Sequence, residues 1–182
     1  MKKILTVIIC ILAVALCSFA SAENTEKEDY TVLSVNGAFN IRGVTPEGYL
    51  REDVPSYDLP IVISFSAEDP AKPHFDLVIS FTEDYASVER LNDLSEEEMM
   101  ELVDDDPTLS EKIEIMETDF GTKVMIMRSN NPADDFAIFL TVYKGYEVAL
   151  NLFPGDGVES LTDGQIAQAM KFLSDLDFVP VG

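Results

Sequence analysis

From Tyr30 onward the hydrophobic positions mostly recur with a period of two. In AFNIRGV, Phe39, Ile41 and Gly43 alternate with Asn40 and Arg42, and in IVISF, Ile61, Ile63 and Phe65 fall on one side. HFDLVISF repeats the pattern with Phe75, Leu77, Ile79 and Phe81. Successive side chains of a strand point to opposite faces, so this spacing predicts strands with one face turned to a core. SAEDPAKPH, between the last two runs, carries two prolines and predicts a turn, which makes the pair a hairpin. KIEIMETDFGTKVMIMRS reads as two more strands around Asp119-Phe120-Gly121. FAIFLTVYKGYEVALNLF is the strongest hairpin, with Lys144-Gly145 as its turn. Its first strand is apolar on both faces: Phe136, Ile138, Leu140 and Val142 on one, Ala137 and Phe139 on the other. A central strand covered on both sides is expected. The second strand sets Val148, Leu150 and Leu152 against Glu147 and Asn151, so its polar side is expected to face water.

Two stretches change to helical spacing. In LTDGQIAQAMKFLSDLDF, Thr162 and Gln165 form a capping box, after which Ile166, Ala169, Met170, Leu173 and Leu176 share one face. That stripe needs an apolar partner, and the hairpins supply one. In the middle of the chain Ser95 and Glu98 form a second capping box, with Leu94 and Met99 as a hydrophobic staple. Met99, Leu102 and Val103 make the inner side of that helix, which ends by Asp104-Asp105-Asp106 because Pro107 cannot continue it. The expected fold class is α+β, an antiparallel sheet flanked by helices.

The start of the chain carries a different signal. Lys2 and Lys3 precede an apolar run from Ile4 to Leu16, and Ala20-Ser21-Ala22 has the small-residue form of a signal-peptidase site. The run is short for a membrane span. Residues 1–22 therefore read as a signal peptide, 23–29 as a polar, disordered leader and 30–182 as a single domain. The expected location is secreted or periplasmic. Cys17 offers a rival, a lipid-anchored form, but Leu16 stands where a lipoprotein signal has a small residue. Cys10 and Cys17 both lie in the segment to be removed, so the expected mature chain has no disulfide, thiolate nucleophile or cysteine ligand.

Charge narrows the function further. The whole chain has a net charge of −22, and loss of Lys2 and Lys3 takes it to −24. Nucleic acid and anionic membrane surfaces require clustered Lys and Arg, and the basic residues here are scattered. Neither is expected as a partner. The run from Glu83 to Glu111 holds twelve acids against Arg90 alone. Clustered oxygens suit calcium, and Asp104, Asp105, Asp106, Asp134 and Asp135 are the candidates for it. The competing explanation is a solvated acidic helix, since Glu96, Glu97 and Glu98 sit where the helix dipole favours them. His74 is the only histidine, flanked by Pro73, and a triad would need Ser64, Ser66 or Ser80 held against it. Carboxylate pairs suit glycoside hydrolysis, but the chain has no Trp to stack a sugar. Asp119-Phe120-Gly121 lacks the companions of a kinase motif and reads as a turn. Met125 and Met127 share a strand face and read as core filling.

The order of parts resembles the PsbP-like (Mog/PsbP) α/β/α sandwich. The residues that carry the likeness are FNIRGVTPEGY, FGTKVMIM, YKGYEVALNL and LTDGQIAQAMKFLSDLDF, spanning most of Phe39 to Phe178. The resemblance implies a mostly noncatalytic group of photosystem II accessory subunits, a Ran-binding import factor and bacterial envelope proteins. It brings no shared binding motif and so no site residues. The combined expectation is an exported, noncatalytic binding or envelope-accessory protein that engages a protein partner, with no cofactor. A calcium-responsive module is the first alternative and a small hydrolase the second.

Overall fold

A computed structural model describes residues 29–33, 37–54, 60–81, 83–102, 114–117, 122–129 and 135–181. The expected signal peptide lies outside these residues. Among the described residues, ten strands form two antiparallel sheets. The large one contains β3 (Tyr49–Val54), β4 (Ile61–Ala67), β5 (His74–Phe81), β6 (Glu114–Glu117), β7 (Lys123–Arg128), β8 (Ala137–Tyr143) and β9 (Tyr146–Phe153). Its spatial order is β3-β4-β5-β9-β8-β7-β6. The small one, ordered β1-β2-β10, joins β1 (Asp29–Leu33), β2 (Phe39–Val44) and β10 (Asp177–Pro180).

Both expected hairpins form. β4 pairs β5 with Phe65 opposite Phe75, and β8 pairs β9 through Lys144 and Gly145. Lys144 (φ 51°) and Gly145 (φ 79°) both adopt left-handed backbone, the geometry whose twist matches that of the flanking strands. Glycine is needed at 145 for a second reason: a side chain there would press on the Ala86 carbonyl, 3.0 Å away.

The helices seal opposite faces. α1 (Glu96–Leu102) starts at Ser95, whose Oγ accepts the Glu98 N–H at 3.2 Å while Glu98 Oε2 accepts the Ser95 N–H at 2.8 Å. α2 (Asp163–Ser174) starts at Thr162, whose N–H donates to Gln165 Oε1 at 2.7 Å. The inner side of α2 buries Ala169, Met170, Phe172 and Leu173 against Phe65, Phe75, Leu77, Leu150 and Leu152. The small sheet shares that face, where Phe39 of β2 meets Tyr143 at 4.9 Å and Tyr146 at 5.4 Å. On the opposite face Met99 of α1, Leu91, Tyr85 and Val88 cover Met125, Met127, Ile138, Leu140, Val142 and Ala149. The methionines are core filling, as their strand position suggests.

The expected α+β architecture with helices on both sides of an antiparallel sheet is therefore present, but three features differ from the sequence reading. β1 begins at Asp29, inside the stretch read as leader. β3 and β10 are strands that period-two alternation does not mark. β3 (YLREDV) is a charged edge strand, and β10 (DFVP) is four residues long and ends on a proline, which an edge tolerates. The third difference concerns β9. Glu147 is 8% exposed and Asn151 5%, so the side expected to be wet is covered. β9 lies between β5 and β8, where neither face meets water.

Because α2 is held by burial of its stripe, Leu173→Ala should lower unfolding stability by about 2–5 kcal/mol, read as a shift in urea midpoint. Thr162→Ala should cost about 1 kcal/mol through loss of the cap.

Candidate functional site

The residues nominated for chemistry divide into those that are engaged, those that are isolated and those outside the described residues. Asp104, Asp105, Asp106 and Asp134 lie outside. Asp135 is engaged in structure. Its Oδ2 accepts the Leu161 N–H at 2.7 Å and stands 3.5 Å from Arg128 Nη2, and the Arg128 guanidinium also donates to the Leu161 carbonyl at 3.4 Å. This clip fixes the approach to α2. Among the described residues no group of three or more His, Cys, Asp or Glu side chains is placed to hold a metal ion.

His74 stacks on Phe153 with centroids 4.8 Å apart, and its side chain has no hydrogen-bond partner among the described residues. Burial lowers its pKa, while the nearby Asp76 and Asp156 carboxylates pull it back up. Ser64 stands opposite Asp76 in the β4–β5 register, and Asp76 opposite Asn151 in the β5–β9 register. Ser64 Oγ, Asp76 Oδ1 and Asn151 Oδ1 are all buried without hydrogen-bond partners. The serine hydroxyl is close enough to favour the Asp76 carboxylate, but burial is the larger effect and raises its pKa. Oriented catalytic groups require a base hydrogen-bonded to a nucleophile and to an orienting partner. That linkage is missing between His74, Asp76 and Ser64.

One further acid is displaced from its ordinary range. Burial pushes Glu147 from 4.5 up to about 7. Tyr85 packs on the same side of the sheet, and its hydroxyl is pushed upward first by burial and then by the Glu147 and Asp84 charges. Both groups are covered by the core rather than set in a cleft.

The open concavity is elsewhere. A groove of about 440 Å³ runs between the C-terminal end of α2, β10 and the end of β8, with Thr141 and Tyr143 at its floor. Ser174, Asp175 and Leu176 form one wall with Asp177 and Phe178, and Arg90 and Thr122 stand on the other side. The strand end that carries the floor is fixed by Thr141 Oγ1 donating to the Lys123 carbonyl at 3.0 Å. Tyr143 is fixed by Phe39 and by Phe178, 5.0 Å away. Arg90 pairs with Tyr143 as an isolated bridge, which sets its guanidinium 5.5 Å from the Tyr143 ring centroid. Lys171 neutralises Asp175 at 2.7 Å. A small cavity of about 30 Å³, lined by Val124 and Leu173, shares Thr122, Thr141, Ser174, Leu176 and Phe178 with the groove. Pockets of a few hundred Å³ with apolar walls and few convergent polar groups are the usual form of ligand sites.

Sequence reasoning did not find this groove, because its walls are brought together by the α2–β10 turn and the pairing of residue 90 with residue 143. One signal was present: Arg90 stands alone among the acids of its run.

No protein-family model and no curated protein matches the chain. Among solved structures it is similar to the solution structure of cyanobacterial PsbP (CyanoP) from Synechocystis sp. PCC 6803. The sequences are 14% identical, the match covers 90% of this chain and 98% of that one, and the TM-score is 0.49. The layers described above stand on this chain's own register and packing.

The Glu147 shift has a direct consequence for stability. In the unfolded chain the carboxyl ionises near 4.5 and in the folded one near 7, so the folded state holds the extra proton between those values. The contribution of this group to stability is then fully present below about pH 4.5 and is lost as pH rises through about 7. The loss attributable to this group is about 3 kcal/mol. Glu147→Gln should match the parent protein near pH 4.5 and exceed it at pH 8, measured as the difference between their unfolding curves.

Proposed function

We propose that this chain is a noncatalytic binding protein, exported to the envelope or beyond it, whose recognition site is the groove between α2, β10 and β8. The observation that carries the reading is the groove itself: an open concavity with an apolar floor and an arginine at its edge, on a frame where the lone histidine is turned into an aromatic stack. A hydrolase would need a base in contact with a nucleophile, and His74 has no such contact among the described residues. Calcium gains no support from Asp135, whose oxygen already serves Leu161 and Arg128. The occupant we assign to it is a segment of a partner protein.

The test is affinity capture from envelope and culture extracts of the source cells with the parent protein and with Ser174→Phe, which fills the groove. Matched melting curves establish that the variant is folded. A partner retained by the parent and released by Ser174→Phe is the expected result. A partner held equally by both proteins, or none in any extract, contradicts the reading.

A further inference from the structure

The groove combines two features that are separate in the sequence, an unused strand edge and an unused cation. β10 pairs with β2 on one side only, and among the described residues no strand meets its outer edge. A strand edge of this kind presents N–H and C=O groups to any extended chain laid beside it. Asp177 and Phe178, its first two residues, line the groove.

The cation is Arg90. Among the described residues it has no carboxylate within ion-pairing distance, whereas Arg51, Arg128 and Lys171 each have one. Lys144 likewise has none, and its Nζ stands 6.0 Å from the same Tyr143 ring that Arg90 overlies. Arg42, Lys72 and Lys123 also have no such partner among the described residues; what sets Arg90 and Lys144 apart is that both stand over the Tyr143 ring that lines the groove. Of the acids that line the groove, Asp175 is taken by Lys171, and Asp177 is the register partner of Arg42 between β2 and β10. The guanidinium of an arginine over a ring keeps its fork of N–H donors for a carboxylate.

We propose that the groove recognises an extended peptide segment that pairs with the outer edge of β10 and sets a carboxylate, its C-terminus or an acidic side chain, against Arg90. The Tyr143 and Phe178 rings receive the apolar side of the segment. The inference rests on the groove being the binding site and adds what the partner must present there.

The experiment is an amide-resolved NMR titration of the full protein with four probes. They are a tetrapeptide of alternating threonine and valine with a free carboxyl end, its C-terminal amide, the same acid N-methylated at alternate residues, and hexanoate. The free acid should shift the Tyr143 and Phe178 amides saturably, with the amide form weaker by about tenfold or more because the charge-assisted contact is gone. The N-methylated acid, unable to pair, should fail. Arg90→Gln should bind acid and amide alike. Equal binding of acid and amide by the parent protein, hexanoate binding as tightly as the peptide, or no shift with any probe would each overturn the proposal. If Ser174→Phe releases a captured partner while the peptides fail, the carboxylate and edge mode falls and the groove remains the site. If Ser174→Phe keeps the partner, the groove reading falls with it.

Discussion

Strands β8 and β9 sit in the middle of the large sheet with every described side chain from Ala137 to Leu152, Lys144 apart, buried or nearly so, and that double burial governs the rest of the molecule. A strand covered on both faces needs two separate covers, because one helix can seal only one side. α2 and the small sheet supply one, with Phe39, Phe172 and Leu173. α1 and the segment from Tyr85 to Leu91 supply the other, with Met99 fully enclosed. The cost falls on polar groups caught between. Asp76, Asn151 and Glu147 are covered along with the apolar residues, and buried oxygens without donors cost about 1–3 kcal/mol each. The raised pKa values of the Asp76 and Glu147 carboxyls are the same cost in another form.

The groove follows from how the first cover is assembled. α2 ends at Ser174, the chain turns through Asp175 and Leu176, and β10 leaves to join β2 rather than the large sheet. The end of β8 therefore emerges between a helix terminus and a strand edge. Arg90 arrives from the opposite cover through its bridge to Tyr143. The two covers meet along Tyr143, where Arg90 of one and Asp177 and Phe178 of the other line the same groove. A binding function at this position uses a junction that the architecture already requires.

Much of the frame was legible in the residues. Thr162 with Gln165 and Ser95 with Glu98 marked both helix starts, since a capping box is a local bargain between side chain and backbone. Lys144-Gly145 marked its hairpin for the same reason. Glu147 and Asn151 misled because alternation reports polarity, not water: a strand flanked on both edges and covered on both faces can carry polar residues inward. β3 and β10 were hidden because edge strands pair with backbone and need little hydrophobic patterning. The groove was not legible at all beyond the isolation of Arg90, because Arg90, Tyr143 and Phe178 are distant in sequence and meet only through tertiary pairing.

The central claim is that β9 is enclosed on both faces, and Glu147 reports on it directly. A carbon-detected NMR titration of the Glu147 carboxyl in the folded protein should give a midpoint near 7, as a buried acid requires. A midpoint near 4.5, the value of a solvated glutamate, would mean that this face of β9 is open to water and that the second cover does not exist as described.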